Sequence, residues 1–101
     1  MKKRDAVDAL RPEAAAAKAL GAKAMFLYGS TGSTARDEAE AESDVDVFID
    51  YDAAVRFSLV ELIGIKQLLE RRLGVPVDVT TRDSLDPLLR ARIEASAERI
   101  Y

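Results

Sequence analysis

The sequence predicts a small α/β fold, one layer of helices on one sheet. Three observations carry that expectation. Two valine-rich segments, Asp44 to Asp50 and Val75 to Thr80, alternate with the period of a strand. Between them, Leu62, Ile65, Leu69 and Leu73 recur with the period of a helix. The chain has 101 residues, which suits a single domain over residues 1–101 and leaves room for little more than two layers.

Taken in order, about Asp5 to Leu20 reads as helix, with an alanine-rich second half. Pro12 either kinks that helix or sits in the first turn of a shorter one. Gly21 suits the position just past its end. Ala24 to Tyr28 reads as a short buried strand. A Gly-Ser segment follows, then a short helix over roughly Ser33 to Glu38, then an acidic connection to the Asp44 strand. There, Val45, Val47 and Ile49 face one way, and Asp44, Asp46 and Phe48 the other. Ser58 and Glu61 form a capping box that opens the clearest helix, with Leu59 and Leu68 widening its apolar stripe. Gly74 ends it. Pro76 then marks a strand start or an edge strand, on which Val75, Val77 and Val79 share one face. The strand–helix–strand order admits a parallel pair. A last helix is expected from Asp86-Pro87 to about Arg99, anchored by Leu88, Leu89, Ile93 and Ile100.

Composition narrows the chemistry. The chain has no cysteine and no histidine, so a metal would be held by oxygen and a general base would be a carboxylate or a lysine. A net charge of −3 disfavours broad affinity for nucleic acid. No apolar run approaches the roughly 18 residues of a membrane span, and the cytoplasm is the expected location.

The functional signal is Gly32-Ser33, ten residues, then Asp44-Val45-Asp46. Backbone N–H groups where a strand hands over to a helix suit a phosphate group. Alternation puts Asp44 and Asp46 on one face, about 7 Å apart along the strand. Such carboxylates repel unless a cation neutralises them, and hard oxygen ligands suit Mg²⁺. A phosphate cradle beside a Mg²⁺ site implies a nucleoside triphosphate. If the valine faces of the two strands join one core, Asp78 points to the same side as Asp44 and Asp46, a set suited to two metal ions. Asp78 would then be placed to take a proton from an attacking hydroxyl. A lone D-x-D usually lies on a solvated strand; the coupled Gly-Ser turn and third aspartate turn the balance here, because aspartate is disfavoured in strands.

These residues resemble the minimal nucleotidyltransferase family of the DNA polymerase β-like nucleotidyltransferase superfamily, over nearly the whole chain. The resemblance implies a mixed sheet of the polymerase β-like fold and transfer of a nucleoside monophosphate from an NTP. It further implies Mg²⁺, with Mn²⁺ as the alternative ion, on Asp44, Asp46 and Asp78. Gly32 and Ser33 would hold the triphosphate, with Arg36 near it. Many such proteins are antitoxins of HEPN/MNT toxin–antitoxin pairs that add AMP from ATP to a tyrosine of the HEPN toxin, so a HEPN-type partner is expected. The sequence departs from the family in one place: Gly29-Ser30-Thr31 and Gly32-Ser33-Thr34 are tandem copies. Proximity to the strand selects Gly29 and Ser30 for the phosphate; distance to the aspartates selects Gly32 and Ser33. The extra residues are either a tolerated insertion or the mark of a weakened site, the latter leaving a binding module that neutralises its partner by occlusion. Transfer to an antibiotic or a nucleic acid is a third reading.

Overall fold

The computed structural model describes residues 3–28, 45–54 and 56–101. The helix expected over Ser33 to Glu38, both Gly-Ser copies, Arg36 and Asp44 lie outside the described residues.

The N-terminal helical region is divided by Pro12. Helix α1 (Lys3–Leu10) gives way to a 3₁₀ turn (Arg11–Glu13) and then to α2 (Ala14–Ala19). The ring at Pro12 removes a donor that a continuous helix would need, while fitting the first turn of a new one. Gly21 follows the Leu20 cap with φ +110°, a conformation that side chains strain.

Strand β1 (Ala22–Tyr28) pairs antiparallel with β2 (Val45–Tyr51). Helix α3 (Leu59–Leu73) then crosses to β3 (Val77–Thr81), which pairs parallel with β2. The expected capping box is present, with the Ser58 N–H donating to Glu61 Oε1 at 2.8 Å. Gly74, at φ +74°, caps the other end. The described residues form a mixed sheet in the order β3-β2-β1-β4. Pro76 thus stands directly before an edge strand.

One face of the sheet carries the core. Met25 and Leu27, Val45, Val47 and Ile49, and Val77 and Val79 pack with Val7 and Leu10 of α1, Ala17 of α2, and Ile65 and Leu69 of α3. Leu62, Leu68 and Leu73 are half-buried against the same cluster. Leu59 does not widen the stripe as expected: it is 67% exposed, because it lies in the first turn, beyond the reach of the core.

The C-terminal end differs most from expectation. Helix α4 spans only Arg90–Ser96, and Glu98–Arg99 form strand β4 on the free edge of β1. Leu88 and Leu89 are exposed rather than anchoring, whereas Ile100 is buried. The chain leaves the helix at Ala97 (ψ 149°) because backbone pairing with β1 is available. The Ile100 N–H donates to the Met25 carbonyl at 2.8 Å and the Met25 N–H to Tyr101 O at 3.3 Å. The Arg11 Nε donates to the Ile100 carbonyl at 3.1 Å, tying this end to the helical layer.

Candidate nucleotide and metal site

The opposite face of the sheet carries the polar chemistry, and strand register assembles it. Tyr28 pairs with Asp46 across β1–β2, and Asp46 pairs with Asp78 across β2–β3. The three side chains form a row across three strands. The cause is local: each aspartate is flanked by valines committed to the core, and a strand alternates. Adjacent strands lie about 4.8 Å apart, so the two carboxylates are neighbours. Asp46 is half-buried and Asp78 exposed.

Tyr28 was not singled out from sequence, where it reads only as the end of a buried strand. Its ring lies tilted against Phe48, 5.5 Å between centroids. Burial pushes its hydroxyl up to about 12, and the charges of Asp46 and Asp78 add to that. The phenol is therefore a neutral hydrogen-bonding group beside two carboxylates. Its alternation with Phe26, ahead of Gly29, was the available signal.

The next row on this face is Arg99, Phe26, Phe48 and Thr80. Phe26 and Phe48 stack at 4.8 Å between centroids. The Arg82 guanidinium covers both rings at 5.0 Å. Arg82 is held there by Asp50, through Nε–Oδ1 at 2.7 Å and Nη2–Oδ2 at 2.9 Å, and by Glu94 of α4 at 2.9 Å. A bidentate pair fixes the plane of the guanidinium as well as its position. Tyr28 thus leans on an aromatic row that is locked from above.

Of the sequence-predicted ligands, the structure brings Asp46 and Asp78 together. Among the described residues no group of three metal-ligating side chains occurs. The two carboxylates that are described nevertheless fit a hard divalent cation: they are oxygen donors, adjacent, on one face and next to a neutral hydroxyl. Gly29, which opens the first Gly-Ser copy, follows directly on Tyr28. The chain therefore enters that segment from the carboxylate row.

Comparison with known proteins bears on the fold and the family. The nucleotidyltransferase domain family matches residues 16–100. A Methanocaldococcus jannaschii protein provisionally named a protein adenylyltransferase is 42% identical over 62 residues, 61% of this chain and 64% of that protein. Protein adenylyltransferase MntA of Thermococcus cleftensis is 39% identical over 57 residues, 56% of each. The chain thus spans under two thirds of the length of these relatives. A solved structure described provisionally as a minimal nucleotidyltransferase superposes with a TM-score of 0.62 at 29% identity, over 91% of this chain and 93% of the other. A toxin–antitoxin crystal structure with AMP-PNP shares the fold, with a TM-score of 0.59 at 16% identity over 100% of this chain and 73% of that one. With a strand-borne carboxylate pair, a family match over most of its length and this fold, the chain belongs to the nucleotidyltransferase domain family, as a minimal nucleotidyltransferase.

Proposed function

We propose that this protein transfers AMP from ATP to a hydroxyl of a partner protein, a tyrosine of a HEPN-type toxin, and so acts as a cytoplasmic antitoxin. The observation that carries the reading is the in-register pair Asp46–Asp78 beside Tyr28, at the strand end that leads into the Gly-Ser segment. The names of the relatives as protein adenylyltransferases support the AMP and the protein acceptor.

In this reading Asp46 and Asp78, with Asp44, hold Mg²⁺ or Mn²⁺. Bound there, the ion would neutralise the carboxylates and the triphosphate and draw charge from the reacting phosphate. Asp78, the exposed member, takes the proton of the acceptor hydroxyl as its oxygen bonds to the α-phosphorus of ATP and pyrophosphate leaves. Asp46, nearer the centre of the sheet, holds its place through the change. Gly32, Ser33 and Arg36, or Gly29 and Ser30 of the first copy, receive the triphosphate.

The test is incubation with labelled ATP and a HEPN-type toxin, with Mg²⁺ or Mn²⁺. Label should appear on the partner. Absence of transfer with both ions would overturn the reading. The tandem Gly-Ser-Thr favours one alternative, neutralisation by occlusion without chemistry. An Asp44→Asn, Asp46→Asn double variant separates the two: full neutralisation by that variant selects occlusion.

A further inference from the structure

Strand β3 is the outermost strand beside β2, and Asp78 is its second residue. Among the described residues no strand lies beyond it, so its outward backbone groups need other partners. At Val77 they find them on α3. The Val77 N–H donates to Glu70 Oε2 at 2.9 Å, and the Val77 carbonyl accepts from Lys66 Nζ at 2.8 Å. Lys66 Nζ also donates to the same Glu70 oxygen at 2.6 Å. One ammonium, one carboxylate and the backbone of one residue close a ring.

The base of this ring is rigid. Lys66 and Glu70 are one helical turn apart and so share a side of α3. Ile65 and Leu69, their neighbours in sequence, are fully buried in the core. The Lys66–Glu70 pair is itself partly exposed, at 45% and 32%, and as an ion pair alone would contribute little. Its distinctive feature is the grip on the backbone. The Val77 carbonyl belongs to the peptide plane that leads into Asp78, so holding it fixes the direction from which the Asp78 side chain leaves the strand. That direction matters because Asp78 and Asp46 repel one another without a cation, and the first residues of an edge strand are the easiest to fray.

We propose that Lys66 and Glu70 are positioning residues for Asp78, holding its carboxylate close enough to Asp46 for the pair to bind a divalent cation. The inference rests on the reading of Asp46 and Asp78 as metal ligands, and it assigns that site a support from α3 at the outer edge of β3. Glu70 and Lys66 act through Val77 and touch neither ion nor substrate. Groups hydrogen-bonded directly to metal ligands commonly change affinity about 10- to 100-fold when removed. Lys66 and Glu70 act one residue further back, which puts the expected effect at the lower end of that range.

The experiment is Mn²⁺ binding to the full chain, followed by the loss of the free-ion electron paramagnetic resonance signal, with a thermal melt of each protein alongside. Glu70→Ala should weaken Mn²⁺ binding about 10-fold or more. Glu70→Gln, which keeps an oxygen for the Val77 N–H, should recover most of it. In the labelled-ATP assay, Glu70→Ala should raise the Mg²⁺ concentration for half-maximal transfer by a similar factor, while the rate at saturating Mg²⁺ changes less. Unchanged Mn²⁺ affinity in a folded Glu70→Ala, with only a lower melting temperature, would overturn the proposal and leave the ring as an edge cap. If Glu70→Ala does not fold, Lys66→Met decides: it frees the Val77 carbonyl and removes the ion pair with Glu70 but leaves the Glu70 bond to the Val77 N–H, and unchanged affinity there overturns the proposal too. A wild-type protein that binds no Mn²⁺ would instead sink the reading of the site itself, and the inference with it.

Discussion

Asp46 and Asp78 face one another in register across the parallel pair of β2 and β3, each set between valines that belong to the core. Their placement is therefore inseparable from that of the core. A one-residue slip of either strand would bury a carboxylate and expose valines, which makes the register strongly specified.

That relationship predicts a ligand synergy. Divalent cations that bind only the folded state stabilise it by mass action, by about 2.7 kcal/mol at a concentration 100 times Kd. Mg²⁺ dehydrates reluctantly and shares its shell readily with phosphate oxygens. Mg²⁺ with ATP should raise the melting temperature more than either alone. Asp46→Asn should abolish that synergy and leave the metal-free protein as stable as before, or slightly more so, since one repulsive charge is gone. Melts of both proteins in buffer, Mg²⁺, ATP and both ligands give the answer. Synergy that persists in Asp46→Asn would place the metal elsewhere. A marked loss of metal-free stability would make Asp46 a structural acceptor.

Helix α3 provides a packing test. Leu69 is fully buried, whereas Leu62 is only half-buried at the margin of the cluster. Leu69→Ala should cost roughly 2–5 kcal/mol, and Leu62→Ala clearly less. Urea titration of both variants would show it; equal losses would mean that the core extends to the first turns of α3.

Among the described glycines, Gly21 is the one where a side chain is least welcome. Its φ is +110°, and a Cβ would stand 2.8 Å from Phe57 Cδ1. Phe57 is stacked on Tyr51 at 5.0 Å, so its ring cannot simply swing aside. Gly21→Ala should destabilise by roughly 1–3 kcal/mol, whereas at Gly74 a Cβ meets nothing within 4 Å and backbone strain alone opposes it. A smaller effect at Gly21 than at Gly74 would contradict this packing.

Alkaline pH should loosen the C-terminal end. Burial pushes the Tyr101 hydroxyl up to about 12 from an ordinary 10.0, and it donates to the Ala22 carbonyl at 2.6 Å. A raised pKa in the folded state means stability that is whole below pH 10 and lost as the pH climbs towards 12. Tyr101→Phe should lower stability at neutral pH and flatten its fall above pH 10. Tyr28, raised for similar reasons, would retain its share of the slope. Chemical denaturation at several pH values between 8 and 11.5 tests this; parallel slopes in both proteins would refute it.

Much of the fold was legible because its signals are local. Alternation in Asp44 to Asp50 and in Val75 to Thr80 follows from the two-residue period of a strand, and it sent Asp46 and Asp78 to one side, although β3 begins only at Val77. Ser58 and Glu61 announced the start of α3 because a capping box is closed within four residues. Pro76 marked an edge because it has no N–H to donate.

What the sequence by itself determined, then, is where the first three strands lie, where α3 begins and which way Asp46 and Asp78 face, since each depends on neighbours in the chain. Only the tertiary structure decided the rest. Glu98 and Arg99 become a strand because β1 offers a free edge, and nothing in those two residues says so. Leu88 and Leu89 stay in solvent because the core is already filled from α1, α2 and α3. Tyr28 joins the carboxylates through pairing with β2, and Lys66 and Glu70 reach Val77 only once Ile65 and Leu69 have seated α3 on the sheet. Each of these contacts joins residues whose approach is set by how the layers pack, which no local pattern encodes.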